Sequence, residues 1–232
     1  MSNGQLSAEQ LQPYRELSSC IVASAIETFG VRMRNTGFTR AEVRCIFADL
    51  PRMVGYAATA RIRSADPPME GKSYYERTDW WKHLQTIPEP RVVVIEDMDG
   101  NRGLGAFVGE VHANILQALG CVGLVTNGGV RDLRKVQELG FQMFAGNASV
   151  SHAYAHLFDF GGTVKIDGMT VQPGDLLQGD IHGVQTIPAE IAAKVPEVAA
   201  GLLRKRAEMV ECCVAPGFSV EKLRKTVQAL ES

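Results

Sequence analysis

Three short apolar runs in the middle of the chain lack polar alternation: Arg91 to Ile95 (RVVVI), Cys121 to Thr126 (CVGLVT) and Phe141 to Ala145 (FQMFA). Continuous runs of this length predict strands buried on both faces. Between them the spacing of apolar positions turns helical. Glu110 to Leu119 reads as one helix with Gly120 as its stop, and Leu133 to Leu139 as a shorter one followed by Gly140. Strand and helix alternate, which predicts right-handed crossovers and a parallel sheet. The pattern therefore places the chain in the α/β class.

The flanks are patterned differently. Ser7 and Gln10 stand as a capping box opening a first helix, which Pro13 is expected to interrupt or shorten. Ser18 or Ser19 caps a second helix through Thr28, stopped at Gly30. Met53 to Ile62, rich in Val, Tyr, Thr and Ala, reads as a strand, and SADPPMEGKSYY as a loop. Asp79 is expected to cap a short helix, WWKHLQTI, ended by Pro88. After Gly161 an Asp167-Gly168 hairpin signal and several short strands predict a β-rich layer. Pro188 to Val214 reads as a long helical stretch kinked or split at Pro196, and Val220 to Leu230 as a last amphipathic helix. No repeat, low-complexity tract or linker divides the 232 residues, so one domain is expected, with helices at 7–30, a core over about 50–190 and a helical segment over about 188–230.

Composition narrows the function. A net charge of −2 gives no bulk attraction to nucleic acid or anionic membrane, and no apolar run approaches the ~20 residues that span a bilayer. The polar N-terminal stretch lacks the apolar core of a signal peptide, and five cysteines without a Cys-x-x-Cys fit neither zinc nor a disulfide framework. A cytoplasmic protein without nucleic-acid or membrane partners is expected. The charged run around Arg204 reads as a solvated helix face, and Cys212-Cys213 as helix packing.

The chemistry concentrates between Gly109 and Asp132. Gly109, Glu110, Val111 and His112 open a helix, where backbone N–H groups favour an anion. Arg131 offers a planar fork for a carboxylate, and Asp132 a hard oxygen ligand for Mg²⁺ or Mn²⁺. Taken alone, Asp132 would more simply cap the helix beginning at Leu133, with Arg131 in a surface ion pair. Two preceding glycines at the carboxyl end of a buried parallel strand change that balance, because ligands of parallel sheets bind at that end. A dinucleotide is disfavoured: Gly103, Gly105 and Gly109 are spaced G-x-G-x-x-x-G, one residue too long, and no acidic residue ends the next strand at Thr126 and Asn127. His152 and His156, at i and i+4, would share a helix face, but no HExxH accompanies them, so packing or surface roles are expected. His182 reads as a local turn residue.

In order along the chain, Gly109-Glu110-Val111-His112-Ala113, Asn127 through Asp132, Leu139 to Ala145, Val171-Gln172-Pro173-Gly174-Asp175 and Asp180 through Pro188 resemble the motifs of the RraA-like family, over about residues 90 to 190. The family includes 4-hydroxy-4-methyl-2-oxoglutarate/4-carboxy-4-hydroxy-2-oxoadipate aldolases. The resemblance implies a layered β/β/α domain assembled as a homotrimer or hexamer with sites between subunits. It implies a class II, metal-dependent lyase that cleaves a 4-hydroxy-2-oxo acid to pyruvate, with oxaloacetate decarboxylase side activity. Gly109 to His112 and Arg131 would bind the pyruvyl carboxylate, and Asp132 would be the one direct ligand to Mg²⁺ or Mn²⁺. Glu110 would hold a metal-bound water, as would Glu208 or Glu211 from a neighbouring subunit. Three positions depart from the pattern: Asn127 for Asp, which removes one charged acceptor, His112 for Leu, and Gly146 to Ser149 for Arg-Gly-x-Thr-Pro. Two alternatives stand beside the aldolase, a non-catalytic regulator that binds a ribonuclease, as RraA does, and a methyltransferase, a label family members have carried.

Overall fold

The computed structural model describes residues 5–68 and 77–231; the part of the SADPPMEGKSYY loop within 69–76 lies outside them. Two helices come first, α1 (Ala8–Glu16) and α2 (Ser19–Thr28). The reciprocal capping box at α1 is formed: Gln10 N donates to Ser7 Oγ at 3.2 Å, and Ser7 N to Gln10 Oε1 at 2.8 Å. Pro13 does not break the helix. The side chains on either side of it hold the helix to the body, for Leu11 and Tyr14 are buried and Tyr14 Oη donates to Ala192 O at 2.5 Å. Packing outweighs the one backbone bond that proline forfeits.

Next come β1 (Arg44–Cys45), β2 (Met53–Arg63), α3 (Thr78–Leu84), β3 (Arg91–Asp97), β4 (Ala106–Val108), α4 (Glu110–Ala118), β5 (Cys121–Thr126), β6 (Gly129–Val130), α5 (Leu133–Leu139), β7 (Gln142–Ala145) and β8 (Asn147–Ala148). Arg77, not Asp79, stands at the N-cap of α3; Asp79 lies in its first turn and pairs with Arg77 at 3.1 Å. The helix starts at Thr78, earlier than expected, so Asp79 falls inside the first turn rather than at the cap. The helix also ends at Leu84, before Pro88.

The remaining elements are β9 (His156–Phe160), β10 (Val164–Ile166), β11 (Met169–Val171), β12 (Leu176–Asp180), β13 (Gly183–Ile187), α6 (Val195–Val214) and α7 (Val220–Glu231). The segment 188–194 is turn rather than helix, and Pro196 falls in the first turn of α6, where its missing N–H costs nothing. Proline therefore starts this helix instead of kinking it.

The central sheet runs β1-β7-β5-β3-β2-β12-β13. Strands β2, β3, β5 and β7 are mutually parallel, while β1, β12 and β13 are antiparallel to their neighbours. The far half of β2 pairs with β9 instead of β12. One sheet face packs on the helices through a large apolar core that includes Tyr14, Ile21, Val93, Ile95, Leu116 and Leu124. The other face carries Ala57, Val92, Val94, Val125 and Phe144, covered by the β10–β11 hairpin through Val164, Ile166, Met169 and Val171. Both faces of β3 and β5 are thus buried, as their unbroken apolar runs require. The hairpin turns at Asp167 (φ 45°) and Gly168 (φ 85°). It supplies the second β layer, whereas β12 and β13 join the central sheet.

A three-stranded parallel sheet, β4-β6-β8, sits beyond the carboxyl ends of β3, β5 and β7, each of which feeds one of its strands. This second small sheet positions the candidate site.

Candidate active site

Strand β4 ends at Val108, and Gly109 then stands at the N-cap of α4. Strand β6 ends at Val130, and Arg131 N donates to Val108 O at 3.2 Å. The ladder therefore aligns the two segments where each leaves its strand. A Cβ on Gly109 would lie 2.4 Å from Asp132 Oδ2 and 2.8 Å from Arg131 Cγ. Only a hydrogen leaves room for both side chains against this backbone.

Asp132 has a left-handed backbone (φ 53°, ψ 36°), uncommon for a residue other than glycine. It occupies the N-cap position of α5, yet its side chain makes no capping bond there. Its Oδ2 instead accepts from Glu110 N, the first N–H of α4, at 3.1 Å. Asp132 Oδ1 lies 3.4 Å from Arg131 Nε, and the two side chains are about one-third exposed (29% for Arg131, 35% for Asp132). A carboxylate has about four acceptor positions, so these contacts leave capacity on Asp132. The Glu110 and Val111 side chains are exposed at the same helix opening.

His112 is buried, its ring 5.2 Å from Phe107. Burial, reinforced by the neighbouring His152, lowers its pKa to about 4, so the ring is neutral at pH 7. This residue offers its backbone position, not a solvent-facing imidazole, to the helix opening.

His152 and His156 do not share a helix. His152 lies in a turn with Nδ1 2.8 Å from Ala106 O, and His156 begins β9 with Nδ1 2.7 Å from Tyr154 O. Backbone pairing of β9 with β2 overrides the helical spacing. His182 is local, as expected, with Nδ1 3.0 Å from Asp180 Oδ1. Asp180 follows Gly179, which pairs with Met53 at the start of β2, while Asp97 pairs with Ile62 at its far end. The strand between is about 30 Å long. Clefts of about 270 and 260 Å³ flank His182 at that distant end. Neither of these two clefts includes any residue from Gly109 to Asp132. Glu208 and Glu211 are exposed on α6, which packs chiefly on α2 and α7 while α4 packs on β5 and α5; one chain does not bring them to Asp132.

Two residues organise this region: Asp97, which sequence reasoning did not assign to it, and Asn127, which it expected as an acceptor near the metal. Asp97 is fully buried at the end of β3, and its Oδ2 accepts from Gly103 N at 2.8 Å and its Oδ1 from Asp99 N at 3.1 Å. Asn127 does not extend toward Asp132. Its Oδ1 accepts from Asp97 N at 2.7 Å, and its Nδ2 donates to Asp97 O at 3.2 Å. The available signal was an acidic residue closing an apolar strand just before a glycine-rich loop.

The donor set bears on which metal fits. Among the described residues no three His, Cys, Asp or Glu side chains group to hold an ion. Asp132 alone, partly exposed and with Glu110 beside it, suits Mg²⁺, which retains several waters, rather than zinc, which prefers three or four protein ligands.

A family model described as RraA-like, Aldolase/RraA, matches residues 20–185. The chain belongs to the RraA-like family. A relative from Halalkalibacterium halodurans, named "Putative 4-hydroxy-4-methyl-2-oxoglutarate aldolase", is 28% identical over 137 residues, 59% of this chain and 60% of that protein. The chain thus matches about 60% of that relative's length. The fold of this RraA-like chain is shared with an uncharacterized protein from Pseudomonas syringae (TM-score 0.74, 21% identity, 97% of each chain covered). It is also shared with Streptomyces coelicolor RraAS2, described as an unusual member of the RNase ES inhibitor RraA protein family (TM-score 0.69, 19% identity, 88% of this chain and 96% of that one).

Proposed function

We propose that this RraA-like protein is a divalent-metal-dependent class II aldolase that cleaves a 4-hydroxy-2-oxo acid to pyruvate, with oxaloacetate decarboxylation as a side activity. One observation carries the reading most. Asp132, held in a left-handed conformation beside Arg131 and against Gly109, turns its carboxylate to the opening of α4 instead of to its own helix. Backbone held in such a region tends to mark functional sites. A cation fork, an anion-favouring helix opening and a hard oxygen ligand then face one partly exposed surface.

In this reading Arg131 and the first turn of α4 bind and orient the substrate carboxylate. Asp132 would hold a Mg²⁺ or Mn²⁺ ion, which would supply Lewis-acid polarisation of the 2-oxo group. As the C3–C4 bond breaks, its electron pair passes to C3 as an enolate and the 4-hydroxyl loses its proton while C4 becomes a carbonyl. Glu110 holds that proton through an intervening water, and protonation of C3 completes pyruvate. Arg131 stabilises the developing negative charge. Oxaloacetate reaches the same enolate by losing CO₂, which is why both activities belong to one site.

The partial exposure of Arg131 and Asp132 in one chain leaves room for a neighbouring subunit. A homotrimer, or a hexamer of two trimers, would place the exposed face of α6 from one chain against its neighbour's site, with Glu208 or Glu211 reaching the metal's waters. The deciding experiment is pyruvate release from 4-hydroxy-4-methyl-2-oxoglutarate and from oxaloacetate, with Mg²⁺ and after chelation. Release that disappears on chelation and returns with Mg²⁺ is expected. No release from any 4-hydroxy-2-oxo acid, together with capture of a ribonuclease, would replace this reading with a regulatory one.

A further inference from the structure

We propose that Asn127 and Asp97 form a latch that positions the Gly128–Asp132 turn, and that the latch requires an amide rather than a carboxylate at position 127. As a statement about catalysis it rests on the function proposed above. Asn127 would be a positioning residue, without contact to substrate.

The parallel ladder between β3 and β5 ends at Ile95 and Thr126. One step beyond, the chain must leave the sheet to reach β6. There the Asn127 side chain, 5% exposed, takes both backbone groups of Asp97, accepting from its N–H and donating to its carbonyl. An amide carries one acceptor and a donor, as a peptide group does, so it extends the strand pairing by a further rung after the backbone has turned away. Gly128 follows so closely that a Cβ there would lie 3.0 Å from Asp97 Cβ.

The other end of Asp97 reaches the same turn by a second route. Its carboxylate accepts from Gly103 N, and Gly103 O accepts from Ser149 Oγ at 2.6 Å and Asn147 Nδ2 at 3.2 Å. Ser149 N donates in turn to Val130 O at 2.9 Å, one residue before Arg131. This accounts for two of the departures from the family pattern: Asn147 and Ser149 hold the loop that Asp97 holds, and Asn127 holds Asp97.

A carboxylate at 127 keeps the acceptor but loses the donor, and sets a second anion against a buried one. The ionisable groups around the pair are Asp97 itself, with Asp99 and Arg102 from the following loop, and Arg63 near Asp99. Burial already favours the neutral form of Asp97, so an added anion there would itself bind a proton readily. Once protonated, the new carboxyl regains an O–H donor for Asp97 O.

That reversal supplies the test. Asn127→Asp and Asn127→Ala are compared with the parent protein by amide hydrogen exchange over residues 128–132 and 146–149, corrected for intrinsic pH dependence, and by pyruvate release. At about pH 8 both variants should exchange faster in these two segments and lose about tenfold or more in kcat/KM. On acidification to about pH 5.5 Asn127→Asp should recover toward the parent in both readouts, while Asn127→Ala should not. Parent-like exchange in Asn127→Asp at pH 8, or a loss that acid does not reverse, would overturn the latch. If Asn127→Asp does not fold, unchanged exchange in Asn127→Ala overturns it equally. Exchange needs no turnover, so an inactive parent protein would defeat the aldolase reading and leave the latch to be decided separately.

Discussion

The carboxylate of Asp132 lies 3.1 Å from the backbone N of Glu110, across two segments separated by 22 residues. One side chain thereby caps a helix that is not its own and stands at the proposed metal position. Substitution separates these two roles. Asp132→Asn retains an oxygen for the Glu110 N–H and a residue tolerant of left-handed backbone, so its thermal unfolding should stay close to the parent. Its turnover should fall by a factor on the order of 10³, because a neutral amide is a poor ligand for Mg²⁺. Asp132→Ala should lose turnover equally, and in addition about 1–2 kcal/mol of stability from the missing cap and the backbone strain. An active, Mg²⁺-dependent Asp132→Asn would remove Asp132 from the metal.

Arg131→Lys keeps the charge and loses the fork. An ammonium offers a point charge where two parallel hydrogen bonds are needed. KM for the 2-oxo acid and the dissociation constant for oxalate should both rise about 10- to 100-fold, consistent with loss of a charged hydrogen bond. Calorimetric titration with oxalate measures this directly, and parent-like affinity would show that Arg131 is not the clamp.

Gly109→Ala adds one methyl group at a point with no room. Its backbone (φ −135°, ψ −157°) is open to alanine, so the effect is contact alone, against Asp132 Oδ2 and Arg131 Cγ. Both side chains must move together. A drop in activity of at least about tenfold is expected, with a circular-dichroism spectrum like the parent's. Full activity would mean that the observed approach of these segments is unnecessary to the site.

His112 predicts an acid limit on stability. Its pKa is lowered from 6.5 to about 4 in the folded protein, chiefly by burial. As pH falls between those values the unfolded chain takes up a proton that the folded chain refuses. Stability attributable to His112 is thus intact above about pH 6.5 and declines by up to about 1.4 kcal/mol per pH unit down to about pH 4. His112→Leu should flatten the stability curve over that interval, measured by urea unfolding at a series of pH values. Parallel curves for the two proteins would show that His112 is not buried in neutral form.

The proposed sharing of sites between subunits makes a complementation prediction. A Glu208→Gln, Glu211→Gln double variant leaves the inner part of α6, with buried Val195 and Ala199, untouched. Mixed with Asp132→Ala under conditions that exchange subunits, it should regain activity absent from either protein alone. A fully active monomer by light scattering would show that one chain completes its own site.

Local pattern was enough to specify the central elements. Unbroken apolar runs at 91–95 and 121–126 give strands covered on both faces, and Gly120 and Gly140, both with positive φ, end the helices their positions mark. Short-range chemistry fixed the Ser7–Gln10 box and the Asp167-Gly168 turn equally well. It failed at Pro13, Asp79 and Pro196, where the outcome depended on Tyr14 packing, the start of α3 at Thr78 and the place of proline in the first turn.

Sequence by itself determined which candidate groups stand together: a glycine, an arginine and an aspartate where buried strands end, because chain order and residue type already limit what can lie at a strand's carboxyl end. It also determined the family. Only the tertiary structure decided where the polar atoms turn. Asp132 reaches back to Glu110 instead of its own helix, Asn127 grips Asp97, and His112 faces Phe107. Such choices depend on partners many residues away, which become neighbours only after three parallel strands have each passed into the small second sheet. A side chain with several possible hydrogen bonds takes the one its buried surroundings leave it, and those surroundings are not encoded in any short stretch of the chain.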